Sequence, residues 1–135
     1  MLTPATRAAV LFSFFCTTLS LDPTWLIRVK DGDTFVIRNA GITNSEDVRV
    51  CQLIEGAKAW CVNTPESGDE GATEATLFTA SWLQQGPFTV TACKRDAFGR
   101  LLGMVTRGDS NLGQALLDEG HAVPYKRKSK SDPAH

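Results

Sequence analysis

A mainly β chain with helices set beside its strands (α+β) is the fold class the sequence predicts, and three observations predict it. Short runs rich in Val, Ile, Phe, Trp and Thr recur along the middle of the chain, each bounded by Gly, Asp, Asn or Pro. One stretch repeats its apolar residues at helical spacing before the last two of those runs, and a shorter one follows them. At 135 residues the chain fits one domain with appendages and is too short for several.

Thr24–Val29 and Thr34–Ile37 are β-rich runs joined by the turn sequence Lys30-Asp31-Gly32-Asp33. Asn39–Asp47 is loop-like. Val48–Ile54 and Ala57–Val62 form a hairpin centred on Gly56, with Glu55-Gly56-Ala57 as a three-residue loop. Ser67-Gly68-Asp69-Glu70 offers a capping box for a helix carrying Ala75, Phe78, Thr79, Trp82 and Leu83 on one face, and Gly86-Pro87 stops it. Phe88–Cys93 and Leu101–Thr106 are two further strands. A short helix follows, capped by Ser110 or Asn111 and ending at Gly120. Five short antiparallel strands with helices inserted in this order suggest a small closed barrel of the OB type.

The ends differ from the middle. Residues 1–21 carry one Arg and then an apolar run from Ala8 to Phe15, the pattern of an export signal, with an uncleaved anchor or plain buried structure as alternatives. Residues 126–135 are a basic tail without apolar periodicity, expected to be solvated or to seek phosphate. The domain between them, 22–125, has a net charge of −5 where the whole chain has −1. Near-neutrality excludes coating of a polyanion by bulk positive charge, and 42% hydrophobic residues exclude wholesale disorder. Cys51 and Cys61 lie symmetrically about Gly56, so a disulfide across the hairpin and two buried thiols are both open. No Cys-x-x-Cys pair supports a zinc site. Trp25, Trp60 and Trp82 read as core or barrel-face residues, and His121 as structural.

Three polar clusters fall where strand packing does not demand them: Asp31-Gly32-Asp33-Thr34, Asn63-Thr64-Pro65-Glu66 and Asp96-Ala97-Phe98-Gly99-Arg100. If strand ends bring them together, they supply the parts for phosphodiester cleavage. A hard cation takes carboxylate, amide and backbone oxygens. A glutamate can deprotonate a water. A guanidinium offers a bidentate grip on phosphate and offsets the charge that grows in the transition state.

In this order and with this strand–helix pattern, the clusters resemble the staphylococcal-nuclease (thermonuclease) family, and its short members in particular. The family pattern is D-G-D-T, then R-x-x-x-x-[DN]-T-P-E, a helix, D-x-[YF]-G-R, and a strand and helix ending E-G-x-A. It is matched by Asp31 to Thr34, Lys58 to Glu66, Asp96 to Arg100, and Glu119-Gly120-His121-Ala122. The resemblance covers about Thr24 to Tyr125 and implies a five-stranded OB-fold barrel and Ca²⁺-dependent hydrolysis of DNA or RNA. It implies Asp33, Asn63 and the Thr64 carbonyl as metal ligands, Glu66 acting on the attacking water, Arg100 on the phosphate, and Tyr125 against the nucleotide. It implies no obligate protein partner, so a monomer is expected.

Two positions depart from the pattern. Asn63 removes one metal-binding carboxylate. Lys58 stands, ungapped, where the family has arginine, and lysine lacks the planar fork. Arg49, which pairs with Asn63 across the expected hairpin, is the alternative phosphate-binding residue. Two functional readings follow: an exported metal-dependent nuclease of low sequence specificity, or a non-catalytic nucleic-acid-binding OB module. A third, a disulfide-stabilised interaction domain, rests on the cysteines alone.

Overall fold

The computed structural model describes residues 16–38 and 44–125. The apolar run Ala8–Phe15 and the basic tail lie outside the described residues. Nine strands and two α-helices follow in order: β1 (Thr17–Leu21), a 3₁₀ turn (Pro23–Trp25), β2 (Leu26–Asp31), β3 (Thr34–Arg38), β4 (Ser45–Glu55), β5 (Lys58–Asn63), α1 (Ala72–Gln84), β6 (Phe88–Arg95), β7 (Leu101–Arg107), β8 (Ser110–Asn111), α2 (Leu112–Asp118) and β9 (Val123–Pro124). The fold is mostly β with two helices, as the α+β reading expects.

The strands pair in the order β1-β6-β7-β4-β3-β2, with β5 on β4, β9 on β5, and β8 on β7. All pairs are antiparallel except β4 with β7. The expected closed barrel of five strands is therefore a nine-stranded sheet whose hydrogen-bonded path stays open among the described residues. Its two end strands, β1 and β2, are consecutive in the chain. The 3₁₀ turn between them, capped by Asp22 accepting from the Thr24 N–H at 2.9 Å, bends one segment from one end of the sheet to the other.

Inward-facing side chains of the sheet and the apolar faces of α1 and α2 share one core. Phe35, Ile37, Val50, Leu83, Val90 and Leu116 are fully buried in it. Each such side chain contributes roughly 1.5–3 kcal/mol relative to leaving it in water. The helix α1 buries Ala75, Thr79, Trp82 and Leu83, as its spacing predicts. Its start differs: Ser67–Glu70 are turn residues, and the helix begins at Ala72 behind Gly71, which caps with backbone at φ 87° and no side-chain bond. The cap of α2 is Asn111, whose side chain accepts from the Gln114 N–H at 3.0 Å.

Three details position the site. Gly32 and Asp33 form a two-residue turn between β2 and β3, and a Cβ at Gly32 would lie 2.8 Å from both the Ala75 Cβ and the Thr64 Cγ2. The bare glycine lets this turn press on α1, where the Thr79 hydroxyl donates to the Gly32 carbonyl at 2.6 Å. In the β4–β5 hairpin the loop is the two residues Gly56-Ala57, not three, with Gly56 at φ 58°. A register shift between Cys51 and Leu53 restores the expected pairing further down, so that Cys51 still faces Cys61.

That pair is a disulfide, and a second, unanticipated one joins Cys16 to Cys93. The latter ties β1 to β6. Residues 16–21, assigned by sequence to the export segment, are thus part of the sheet, because Thr17–Leu21 pair with Phe88–Ala92 and Leu21 enters the core. Closing 77 residues constrains the unfolded chain more than closing 10. Replacing Cys16 and Cys93 by Ser is expected to cost about 4 kcal/mol of stability in urea denaturation, and the Cys51/Cys61 pair roughly 3 kcal/mol. Equal midpoints for the oxidised wild type and both double variants would contradict these links.

Candidate active site

The turn after β2 and the end of β5 meet at one carboxylate. Asp33 is buried, and its Oδ2 accepts the Thr64 N–H at 2.9 Å and lies 3.0 Å from the Arg49 Nη1. The Thr34 hydroxyl donates to Oδ1 at 3.0 Å. Arg49 comes from β4, one strand over, paired with Thr34 in the register. Its Nη2 donates to the Asn63 Oδ1 at 2.7 Å and its Nη1 to the Val62 carbonyl at 2.5 Å. The buried guanidinium thus stitches the turn to the end of β5, and its Cζ stands 5.6 Å from the centre of the Tyr125 ring. Tyr125 is held there by its own N–H, which donates to the Cys61 carbonyl at 2.9 Å.

The sequence reading gave Asp31 no role, yet it belongs to this cluster. The Asp33 N–H donates to its Oδ1 at 3.2 Å. Burial pushes its carboxyl up to about 6, helped by the hydrogen bond it shares with the Asp33 carboxylate and by that group's charge. For Asp33, burial acts upward too, but the hydrogen bond from Asp31, the Arg49 charge and the Thr64 N–H together hold it below the ordinary value. The signal in the sequence was the D-G-D spacing itself: a two-residue turn brings the carboxylates flanking a glycine into contact.

A cleft of about 960 Å³ opens over this cluster, and Asp33, Arg49, Asn63, Glu66, Arg100 and Tyr125 all line it. Glu66 follows β5 directly. Arg100 enters from the β6–β7 connection, where Asp96 organises a tight loop. Its carboxylate accepts the Phe98 and Arg100 N–H groups at 2.9 Å each and the Arg100 Nε at 2.7 Å. Burial alone would raise the Asp96 carboxyl, but the bonds from Arg100 and Phe98 hold it below the usual range. Phe98 is 84% exposed at the rim, 5.5 Å from the Arg100 Cζ.

Lys58, expected at the phosphate, sits at the hairpin tip opposite Glu55 and lines the same cleft. Five residues of strand, about 16 Å, separate it from Asn63. Arg49, the alternative, occupies the centre. Of the three tryptophans expected in the core or on the barrel face, Trp60 is on the face, 44% exposed on the hairpin. Trp82 is buried and Trp25 packs on the core, while His121 rests against the Phe78 ring at 4.9 Å.

No group of three or more His, Cys, Asp or Glu side chains among the described residues is arranged to hold a metal. A cation here has to draw on amide and carbonyl oxygens as well, which suits a hard ion such as Ca²⁺ and not a softer one. The donor set fits: Asp31 and Asp33 press two carboxylates together, and the Asn63 amide oxygen and the Thr64 carbonyl come from the adjoining chain. The unpartnered buried Thr64 hydroxyl marks the same place as incompletely satisfied.

The raised Asp31 carboxyl contributes stability that is complete below about 3.8 and lost as pH rises through about 6. The depressed Asp33 acts the other way, its contribution being lost on acidification below 3.8. In chelator, the urea midpoint is expected to fall between about pH 4 and about pH 7. Asp31→Asn is expected to flatten that fall and to leave acid unfolding in place. An unaltered profile in the variant would refute the coupling.

A family model described as staphylococcal nuclease homologue matches residues 58–135, a span containing Asn63, Glu66, Arg100 and Tyr125. No curated protein matches the chain. The matched span begins after Asp33 and Arg49, and the fold brings those two beside Asn63 and Thr64 within it.

Proposed function

Because the chain belongs to the staphylococcal nuclease homologue family, we propose that it is a metal-dependent nuclease that hydrolyses phosphodiester bonds of DNA or RNA with low sequence specificity. Family membership supports a nuclease or nucleic-acid-binding domain. The observation that carries the finer reading is the convergence of Asp33, Arg49, Asn63, Glu66 and Arg100 on one cleft from four separate stretches of chain.

In this reading Asp31, Asp33, Asn63 and the Thr64 carbonyl hold a divalent cation, Ca²⁺ by the chemistry of its donors, and that ion supplies Lewis-acid polarisation of the phosphodiester when bound. Glu66 accepts the proton of the attacking water at its carboxylate. Arg100 and Arg49 grip the phosphate oxygens, whose charge grows toward the transition state. For Arg100 the Asp96 carboxylate fixes the guanidinium through Nε, leaving both Nη groups for the phosphate. The exposed Phe98 and the Tyr125 ring give flanking bases apolar surfaces to stack on.

A non-catalytic nucleic-acid-binding module is the second reading, favoured by Asn63, which gives the cluster one carboxylate fewer. We place the protein in an oxidising compartment, periplasmic or secreted. The support is that all four cysteines are paired, and any export segment then ends before Cys16.

Cleavage of a single-stranded oligonucleotide is expected to need Ca²⁺ and to stop in chelator. Glu66→Gln and Arg100→Ala are each expected to lower kcat by about 10²–10⁴-fold. Lys58→Ala is expected to leave kcat within about twofold, since Lys58 stands off the cluster. Salt-sensitive binding without any cleavage would select the binding module, and equal rates for wild type and Glu66→Gln would eliminate the proposed base.

A further inference from the structure

The oxygens assigned to the metal already face a cation. The Asp33 Oδ2 and the Asn63 Oδ1 are bridged by the two Nη groups of Arg49, at 3.0 Å and 2.7 Å. The Arg49 side chain is only 8% exposed, so this is a buried contact and not a wandering surface pair. Asp33 has little spare capacity beside it, because Thr64 and Thr34 donate to its two oxygens. A divalent ion drawn to these oxygens competes for the same lone pairs, and its charge repels the guanidinium.

We propose that Arg49 is the resident counter-cation of the metal-free site, and that a divalent ion binds by displacing its guanidinium from Asp33 and Asn63 toward Tyr125 and the cleft. The inference rests on the metal-dependent reading above and adds an order to it. Only the partners of the guanidinium change. The Tyr125 ring, 5.6 Å from Cζ, lies on the open side and gives the displaced cation an aromatic face. Two consequences follow. Metal affinity is lowered by the fraction of molecules in which Arg49 holds the oxygens. The phosphate-gripping arginine becomes available only where a metal has bound.

Calcium titrations of the full-length oxidised chain by calorimetry, with wild type, Arg49→Met and Arg49→Lys, test this without any turnover. Arg49→Met is expected to bind Ca²⁺ about tenfold more tightly than wild type. Its melting temperature is expected to be lower in chelator and to rise more on adding Ca²⁺. Arg49→Lys, with a charge but no fork, is expected to fall between the two. In wild type, the arginine Nη signals of Arg49 in NMR are expected to be resolved by restricted rotation in chelator and to average on adding Ca²⁺; this measurement decides the matter if Arg49→Met fails to fold. If wild type binds Ca²⁺ while Arg49→Met binds no more tightly and the wild-type Nη signals do not change, the displacement is refuted and the metal-dependent reading stands. If neither protein binds Ca²⁺, both fall together.

Discussion

One buried carboxylate holds the working part of this molecule together. Asp33 sits at the first turn of the sheet, yet its partners come from next door, from β4 and from the end of β5. Taking a charge out of water is costly unless hydrogen bonds and an opposite charge replace the solvent. Here the Thr34 hydroxyl, the Thr64 N–H and the Arg49 guanidinium do so, and each comes from a segment that carries another member of the site. The interaction that makes the buried charge tolerable therefore also fixes where Asn63, Thr64 and Glu66 stand. The Val50 N–H, donating to the Asp33 carbonyl at 2.8 Å, holds the backbone of the same residue to β4.

The hairpin formed by β4 and β5 carries the second constraint, because side chains alternate faces along a strand and a one-residue slip would turn every one of them over. The register shift at Gln52 absorbs the mismatch between a two-residue loop and the pairing the site needs. Below it, Cys51 faces Cys61, and two residues further along the same face Arg49 meets Asn63. The disulfide is thus a covalent pin one step from the non-covalent pair. The Asn63 amide oxygen and the arginine that holds it are kept in register by a bond that survives any loosening of the exposed hairpin tip.

Much of this could be read from the residues. Phe35 and Ile37, Val48 and Val50, and the α1 set from Ala75 to Leu83 announce their faces by period, and the core confirms them. The D-G-D-T, N-T-P-E and D-A-F-G-R clusters sit at strand ends, where local turn chemistry already sets their geometry. Relations across strands were harder to read. Counting along one strand offers Lys58 for the phosphate and the hairpin pairing offers Arg49, and it is Arg49 that reaches Asn63 through the ladder. The Cys16–Cys93 link and the strand character of Thr17–Leu21 were hidden for the same reason: a run that looks like the end of an apolar leader becomes a strand only because β6 lies beside it. The start of α1 misled in another way. Ser67–Glu70 has the residues of a capping box, but Gly71 in the left-handed region turns the chain into the helix four residues later.

The charge distribution then acquires a meaning that net charge alone lacked. The domain body is acidic, and the arginines around the cleft do not act as a free positive surface: Arg49 is bound to Asp33, Arg100 to Asp96 and Arg95 to Glu46. A phosphate entering the cleft meets guanidinium groups whose charges are already partly answered by carboxylates within 3.0 Å. Such a surface attracts a polyanion weakly at a distance, because beyond a Debye length it presents little positive field. At close range the proposed grip differs between the two forks: Arg100 keeps its Nε on Asp96 and offers its Nη groups, whereas Arg49 has both Nη groups engaged until its internal partners are taken from it. In the proposed reading the positions of those forks, set by the carboxylates that hold them, decide which phosphate geometry fits.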